Sequence, residues 1–355
     1  MKKKIESIQA LRAVAAFLVV IFHMQHAMEH KVPQAQDAWL NAHPTLATFG
    51  MVGVDIFFII SGLVMTLSIW NHFGSPQQAG IFLKRRMIRI YPIYWFYLLL
   101  RIIIFSLFAT FVTSVPEFNL EKTLVSALLI PYNGPPVEGF SQHYALGLAW
   151  TLSFEMYFYI LVTACLLFAR KYFFPIVIAV FIGGIFLLSD YTAVHPLFVI
   201  FSSTFLLEFI WGILIGYAMR HKKCLPKIPA VLVSLVAPIL LFMGHGFVFP
   251  LPQGMSVGIP VALLVYGIVS LEQQGWFRTP QILSKLGNSS YTLYLFHGVV
   301  QGVLIKLLTM SGLAQVFPAD ISILIITLAC LPAAHLAYLL VEKPVTAFLN
   351  KKLVS

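Results

Sequence analysis

Ionisable side chains interrupt several apolar runs of this chain, where an unpaired charge is costly. They are Arg12, His23, Asp55, Arg101, Glu155, Glu208 and His297. Such residues in membrane helices usually face the bundle interior, where they bind ions, protons or substrates. A histidine beside a carboxylate can act as a base, because the acid fixes its tautomer and stabilises the imidazolium. The residue types therefore predict proton-transfer chemistry inside a membrane.

Arg12 and His23 belong to the first apolar run and are eleven residues apart. On one helix they lie within about 20° of the same face and about 16.5 Å apart along the axis. A single groove could therefore contain both side chains. The alternative is that Arg12 extends to the headgroups and His23 is a hydrogen-bonded core histidine.

His23, Asp55 and Glu155 fall at similar depths below the outer surface when each helix rises about 1.5 Å per residue. We therefore predict that they meet as a catalytic group. The alternative is a structural network of polar side chains between helices.

Arg85, Arg86 and Arg89 lie on one arc of the helix that enters the third apolar run. Guanidinium groups in such a fork suit phosphate, which they bind in bidentate fashion. The alternative is an orientation signal that contacts anionic lipid.

Metal and nucleotide motifs are missing from the sequence. His26, His30 and His143 are expected in outer loops without HExxH spacing, and the cysteines are too far apart for a CxxC site. We therefore predict no metal. The chain also has no GxSxG, P-loop or GxGxxG pattern, so hydrolase-fold and ATPase functions have no support.

The elements that must position these residues are membrane helices. The chain has 355 residues, of which 59% are hydrophobic and 10% charged, and its mean hydropathy is +0.89. These values exclude a soluble globular domain and predict an all-α polytopic membrane protein. Apolar runs of sufficient length predict ten transmembrane helices near 7 to 28, 49 to 71, 91 to 113, 150 to 169, 172 to 189, 196 to 219, 228 to 249, 255 to 271, 290 to 310 and 318 to 340.

The distribution of charge sets the predicted topology. Ten crossings with both termini in the cytoplasm place most of the 23 basic residues inside, as membrane proteins prefer. The shorter segment near 120–131 is therefore predicted to be re-entrant or interfacial. Topology explains most of the net charge of +10, so nucleic-acid binding is not expected. We expect one domain over 1–355 with no appended soluble domain.

Six sequence elements, taken in order, resemble the acyltransferase type 3 family of membrane O-acyltransferases that modify bacterial surface glycans. They are IQALRAVAAFLVVIFH with Arg12 and His23, GVDIFFIISGLVM from Gly53, KRRMIRIYPIYW with the arginine triplet, WTLSFEMYFY with Trp150 and Glu155, SYTLYLFH ending at His297, and VEKP with Glu342. The opening SIQALR is similar to the branch that acetylates exopolysaccharide. Ala13 stands where many relatives have glycine, which affects helix packing more than chemistry.

The resemblance implies a multi-pass protein of the bacterial cytoplasmic membrane that uses acyl-CoA, most often acetyl-CoA, as donor. Arg85, Arg86 and Arg89 would hold the CoA phosphates, and the pantetheine arm would pass Arg12 toward His23. His23 would deprotonate the hydroxyl of an extracytoplasmic glycan or lipid-linked sugar, or would itself carry the acyl group.

Supporting roles follow from the same resemblance. Asp55 or Glu155 would orient His23 or hold the sugar, and Trp150 would stack on it, although membrane-interface tryptophans are common without a ligand. Tyr291, Tyr294 and His297 share one helix stripe and would line the donor tunnel. If transfer needs an extracytoplasmic domain of the kind that many relatives carry, a separate protein must supply it.

A proton-coupled transporter or glycan flippase is the main rival, because such proteins also carry intramembrane His, Asp, Glu and Arg. The two halves of the chain show no internal correspondence, and the ionisable residues concentrate in the first half. A structural scaffold would leave the spacing of Arg12 and His23 without a reason. We therefore favour the acyltransferase.

Overall fold

α-Helices dominate the computed structural model, which describes residues 5–32, 39, 43–107, 119–134, 140–245 and 251–353. The α-helices, in chain order, are α1 (Glu6–Lys31), α2 (Pro44–Thr48), α3 (Val52–Ile69), α4 (Pro76–Leu107), α5 (Leu120–Ala127), α6 (Ala149–Cys165), α7 (Phe173–Leu188), α8 (Leu197–Ser202), α9 (Leu206–Arg220), α10 (Lys227–His245), α11 (Gln253–Ser256), α12 (Gly258–Gln273), α13 (Gln281–Asn288), α14 (Ser290–Met310), α15 (Ala319–Ala337) and α16 (Lys343–Leu353). A π-helical turn, Tyr338–Glu342, joins α15 to α16. The described residues contain no strand.

Eight helical stretches within the described residues are long and apolar enough to cross a membrane. The helix Ala149–Cys165 is also apolar but shorter. The prediction of an all-α polytopic membrane protein is therefore confirmed. The count of ten crossings and the cytoplasmic position of both termini stay predictions.

Three boundaries differ from the sequence-based expectation. The helix expected at 196–219 is broken between α8 and α9, because Ser203 is extended and its Oγ accepts a hydrogen bond from the Phe205 N–H at 3.3 Å. The helix expected from 91 begins at Pro76, so the arginine triplet lies within it. The outer loop expected to hold His26 and His30 begins later, because α1 continues to Lys31.

Two compact units divide the chain: Met1–Leu67 with Leu207–Leu340, and Ser68–Leu206 with Val341–Ser355. We call them the first and the second unit. The prediction of one domain over 1–355 remains a prediction.

In the first unit, α1 packs against α12, α13, α14 and α15, and α10 packs against α12. Ala16 and Val20 of α1 meet Leu293 of α14 and Ala334 of α15 in one buried cluster. The small residues of α1 allow its neighbours to approach closely. A Cβ on Gly53 of α3, for example, would lie 2.2 Å from the Ala15 carbonyl oxygen.

A second glycine contact joins α3 to α9 in the same unit. A Cβ on Gly62 would lie 2.3 Å from the Phe209 carbonyl oxygen, and a Cβ on Gly212 would lie 2.1 Å from that of Ile59. Only glycine permits backbones this close, as in the small-residue crossings of membrane helices. This crossing brings the acidic residues of the two helices together.

In the second unit, α4 packs against α6 and α16, and α7 packs against α6 and α8. The predicted re-entrant or interfacial segment contains α5, whose eight residues are too few to span a bilayer. Side chains of α4 hydrogen-bond the carbonyl oxygens at the end of α5: the Tyr94 hydroxyl donates to Ser126 at 2.7 Å and the Trp95 indole to Ala127 at 2.8 Å. These bonds satisfy carbonyls that a helix end leaves unpaired.

Candidate active site

A histidine pair lies between α1 and α14 in the first unit. The ring centroids of His23 and His297 are 5.2 Å apart, with an angle of 31° between the planes. His297 is 1% exposed, and its Nδ1 is 3.0 Å from the Leu293 carbonyl oxygen. This geometry assigns the Nδ1 proton to that hydrogen bond and leaves the lone pair on Nε2. The pair thus contains two imidazoles, one of which has a defined tautomer.

A buried amide holds the two helices in this register. Gln301, one turn beyond His297, donates through Nε2 to the Val20 carbonyl oxygen at 2.8 Å. Val20 lies about one turn before His23 on α1. The hydrogen bond therefore ties α14 to α1 beside the histidine pair.

Aromatic residues extend the pair along α14. The ring centroids of Tyr294 and His297 are 6.3 Å apart, and Phe57 of α3 packs edge-on against Tyr294 at 6.1 Å. Tyr294 is buried and Tyr291 is partly buried. The stripe predicted for Tyr291, Tyr294 and His297 lies on one helix, and its role in donor binding stays a prediction.

Two carboxyl groups come together where α3 meets α9. Asp55 and Glu208 are both 0% exposed and adjacent. Gln253 of α11 donates through Nε2 to Asp55 Oδ1 at 3.2 Å. Asp55 Oδ2 and both Glu208 oxygens have no hydrogen-bond partner of ordinary geometry among the described residues. An uncompensated buried charge would be costly here, so this pair suits a proton, a cation or a hydroxyl donor.

The predicted meeting of His23 with Asp55 is not among the contacts of the described residues. His23 contacts His297 and Phe22, whereas Asp55 contacts Gln253 and Glu208. The reason is the glycine crossing, which turns Asp55 toward α9. The neighbour of His23 is thus an imidazole where a carboxylate was expected.

The beginning of α1 is capped from a distant part of the sequence. Ile5, at the N-cap, makes no side-chain capping bond. Instead, the Glu272 carboxylate at the end of α12 accepts from the backbone N–H groups of Glu6 and Ser7, both at 2.8 Å, and from the Ser7 hydroxyl. An anion at this end also suits the helix dipole. This cap fixes the start of α1, the helix that carries the half-buried Arg12 and His23.

The second unit contains an arginine, tyrosine and glutamate cluster between α4 and α6. The Arg86 guanidinium carbon lies 5.2 Å from the Phe82 ring centroid and 5.5 Å from that of Tyr159. The Tyr159 hydroxyl donates to Glu155 Oε1, and the Glu155 carboxylate attracts Arg86 electrostatically. Arg86 Nε is buried and has no hydrogen-bond partner among the described residues. A basic group held by aromatic faces therefore keeps a donor for a further acceptor.

The other two arginines of the triplet differ in exposure. Arg85 is exposed, and Arg89 is partly buried within the electrostatic reach of Arg86 and Tyr159. The helix predicted for the triplet is confirmed. Its part in phosphate binding stays a prediction.

Trp150, in the first turn of α6, belongs to an aromatic cluster. Its ring lies 5.8 Å from that of Phe154 and 5.5 Å from that of Phe205, and the side chain is partly exposed. Phe140 connects the cluster to Tyr144, where burial raises the pKa of the phenol above its ordinary value. The packing gives Trp150 a structural role, and its exposed part leaves the predicted sugar contact open.

Sequence reasoning missed Glu272, Gln301, Tyr159 and Gln253. Glu272, Gln301 and Gln253 act on helices that are distant in sequence, so no local motif marks them. Tyr159 ends the WTLSFEMYFY element, but its contact with Arg86 of α4 is also distant in sequence. The contact between α3 and α9 does have a local signal, the GxxxG spacing of Gly212 and Gly216, which predicts a close helix crossing.

Comparisons with known proteins place the chain among acyltransferases. The model of the family described as acyltransferase domain matches residues 5–340. The exopolysaccharide production protein ExoZ of Rhizobium meliloti (strain 1021) is 29% identical over 301 residues, which cover 84% of this chain and 90% of ExoZ. The acyltransferase MdmB of Streptomyces mycarofaciens is 27% identical over 329 residues, which cover 84% of this chain and 79% of MdmB. No solved structure matches the chain.

These matches confirm the resemblance based on the six sequence elements, including the similarity to the exopolysaccharide branch. The family match covers nearly all of the helices described above, including those with the histidine pair and the arginine triplet. The chain therefore belongs to the acyltransferase domain family and is a multi-pass membrane protein.

Proposed function

We propose that this protein transfers an acyl group, most simply acetyl, from cytoplasmic acyl-CoA to a hydroxyl of an extracytoplasmic glycan or lipid-linked sugar. The membrane would be the bacterial cytoplasmic membrane. Membership of the acyltransferase family supports acyl transfer, and the name of ExoZ supports a polysaccharide acceptor. Acyl-CoA is made in the cytoplasm, so its acyl group must cross the membrane to reach a glycan outside the cell.

The observation that carries the proposal is the His23 and His297 pair within the membrane helices. His23 lies on the helix that Glu272 and Gln301 position, and its ring contacts a second imidazole at 5.2 Å. A neutral imidazole nitrogen is both a base and a nucleophile. His297 packs beside the His23 ring without supplying a full negative charge.

The reaction balances with one proton transfer at His23. His23 takes the proton of the sugar hydroxyl as the oxygen attacks the thioester carbonyl carbon. The C–S bond breaks, the new ester C–O bond is complete, and the imidazolium returns its proton to the CoA thiolate. No further reactant is needed.

The alternative of a covalent intermediate uses the same residue. An unprotonated His23 nitrogen would attack the thioester and release CoA, and the acyl-imidazole would then react with the sugar hydroxyl. Intact-protein mass spectrometry after mixing with acetyl-CoA alone distinguishes the routes. Only the covalent route predicts an added acetyl group on the wild-type protein that is absent from the His23→Ala protein.

For donor binding we propose Arg85, Arg86 and Arg89, with Arg12 and the Tyr291, Tyr294 and His297 stripe as further contacts. Arg86 supports this best, because its buried Nε has no acceptor among the described residues. Phosphate oxygens of CoA would satisfy it with charge-assisted hydrogen bonds. Trp150 is proposed to contact the acceptor sugar, and Asp55 to hold a polar group within the first unit. Glu155 was expected to contact the sugar as well, but its place beside Arg86 supports a role in holding that arginine.

Donor binding is tested by calorimetric titration of acetyl-CoA, and of the unreactive desulfo-CoA, into the detergent-purified protein. The double variant Arg85→Ala with Arg86→Ala should bind acetyl-CoA at least tenfold more weakly than the wild type. Added salt should weaken acetyl-CoA binding by the wild type. Arg170→Ala is the matched control, since it removes an arginine that packs on Trp70 in the same unit. Equal donor affinity in the double variant and the control would refute the phosphate role.

Transfer is tested with labelled acetyl-CoA and membranes that contain the host's surface glycans. His23→Ala should abolish the transfer of label while desulfo-CoA still binds. His72→Ala, which changes an exposed histidine, should leave both unchanged. Label transfer by the folded His23→Ala protein would refute its catalytic role.

A further inference from the structure

Three potential metal ligands lie together on the last turns of α1. They are His26, Glu29 and His30, and all three are exposed. One ligand atom from each lies within 4.8 Å of the others. None of them takes part in the acyl-transfer proposal, so the cluster needs a separate explanation.

Helix geometry brings these residues together. Positions three and four apart are neighbours on a helix surface, which groups Glu29 and His30 with His26. The ring centroids of His26 and His30 are 4.2 Å apart, with 49° between the planes.

The tautomer of His30 already suits a ligand. Its Nδ1 is 2.8 Å from the His26 carbonyl oxygen, so Nδ1–H donates and the lone pair lies on Nε2. Histidines that bind metals usually have this second hydrogen bond to a carbonyl or carboxylate, because it orients the ring. The Glu29 carboxylate interacts electrostatically with His26 and would supply negative charge beside a cation.

We propose that His26, Glu29 and His30 bind a first-row divalent transition-metal ion, for which Zn²⁺ is the probe. Two imidazole nitrogens and one carboxylate oxygen match the ligands that zinc accepts, and they leave a fourth position for water. This inference opposes the prediction of no metal. His26 and His30 are four residues apart, like the two histidines of HExxH, but the glutamate is at the fourth position of the pattern and not at the second.

The ion would lie on the face of α1 that carries His23. His26 and His30 follow His23 by about one and two turns, which places them about 4.5 Å and 10.5 Å farther along the axis. A metal there would restrain the end of the helix that positions His23. The site does not depend on acyl-CoA, so its test is independent of the proposed reaction.

The test is zinc binding by tag-free protein in detergent, measured in competition with a fluorescent chelator. We expect one Zn²⁺ per chain. His26→Ala and His30→Ala should each weaken binding at least tenfold, and Glu29→Gln should weaken it several-fold. His43→Ala is the matched control, because His43 lies outside the cluster but makes the same local hydrogen bond as His30. Its Nδ1 is 2.8 Å from the carbonyl oxygen of Trp39, four residues earlier.

A second measurement uses Cu²⁺ and electron paramagnetic resonance. Coupling to two imidazole nitrogens should be present in the wild type and reduced to one in His30→Ala. Absence of zinc binding in the folded wild type would overturn the proposal. Binding that persists unchanged in the His26→Ala and His30→Ala double variant would overturn it as well.

Discussion

Gly212 sits where α9 crosses α3, and replacing it with alanine tests whether this contact is as tight as the structure indicates. The new Cβ would lie 2.1 Å from the Ile59 carbonyl oxygen and 2.8 Å from the Leu63 nitrogen, whereas ordinary contacts are 3.4–4 Å. Both obstacles are backbone atoms, so no side-chain rotation relieves them. The two helices must separate by more than 1 Å.

The expected cost exceeds the benefit of alanine in a helix. Overpacking of this kind costs about 1–3 kcal/mol when neighbours can shift, and backbone obstacles favour the upper part of that range. Exchanging glycine for alanine returns at most about 1 kcal/mol of helix propensity. The net effect is destabilisation. The separation should also loosen the contact between Asp55 and Glu208, since Glu208 is one turn before Gly212.

The assay is thermal unfolding of the detergent-purified protein. Gly212→Ala should lower Tm by several degrees. Gly302→Ala is the matched control, because Gly302 is helical, lies in the same unit and has nothing within 4 Å of the position that a Cβ would occupy; its Tm should stay the same or rise. Equal Tm values for Gly212→Ala and the wild type would refute the crossing and the orientation of Asp55 that depends on it.

Two further substitutions test contacts that anchor the helices. Tyr94→Phe removes a buried hydroxyl that donates to the Ser126 carbonyl at 2.7 Å, so the free energy of unfolding should fall by about 1–3 kcal/mol. Tyr191→Phe, at an exposed tyrosine, is the control and should leave Tm unchanged. Equal Tm values for the two variants would contradict the anchoring role of the Tyr94 hydrogen bond. Glu272→Ala removes the acceptor for the first N–H groups of α1. Faster hydrogen exchange in the first turn, with other helices unchanged, is expected at a cost of about 0.5–2 kcal/mol, and unaltered exchange at Ser7 would disprove the cap.

Membrane class and family were predictable because both depend on local sequence. A helix in a bilayer needs only enough consecutive apolar residues, so most long helices were found within a few residues of their ends. The six motifs were likewise continuous stretches. Breaks within apolar runs were harder to predict. The run at 196–219 is interrupted at the extended Ser203, whose hydrogen bond to Phe205 has no signature in the hydropathy.

The candidate site was predictable in its residues and less so in its partners. His23 and the arginine triplet stood out because each is polar in an apolar stretch. Glu208 and His297 stood out for the same reason. Their contacts with Asp55 and His23 could not be predicted, because the partners are far apart in sequence. Depth along a helix can be counted from sequence, but rotation about its axis cannot when apolar residues surround it on every side.

Chain composition alone requires membrane helices here, because backbone polar groups must be satisfied internally in lipid. Partner choice among those helices required the folded chain. The close backbone contacts at Gly62 and Gly212 turn Asp55 toward α9, and a carboxylate at position 272 caps the helix that begins at position 6. Both effects arise from long-range packing, in which each helix is oriented by its neighbours and carries its polar side chains with it.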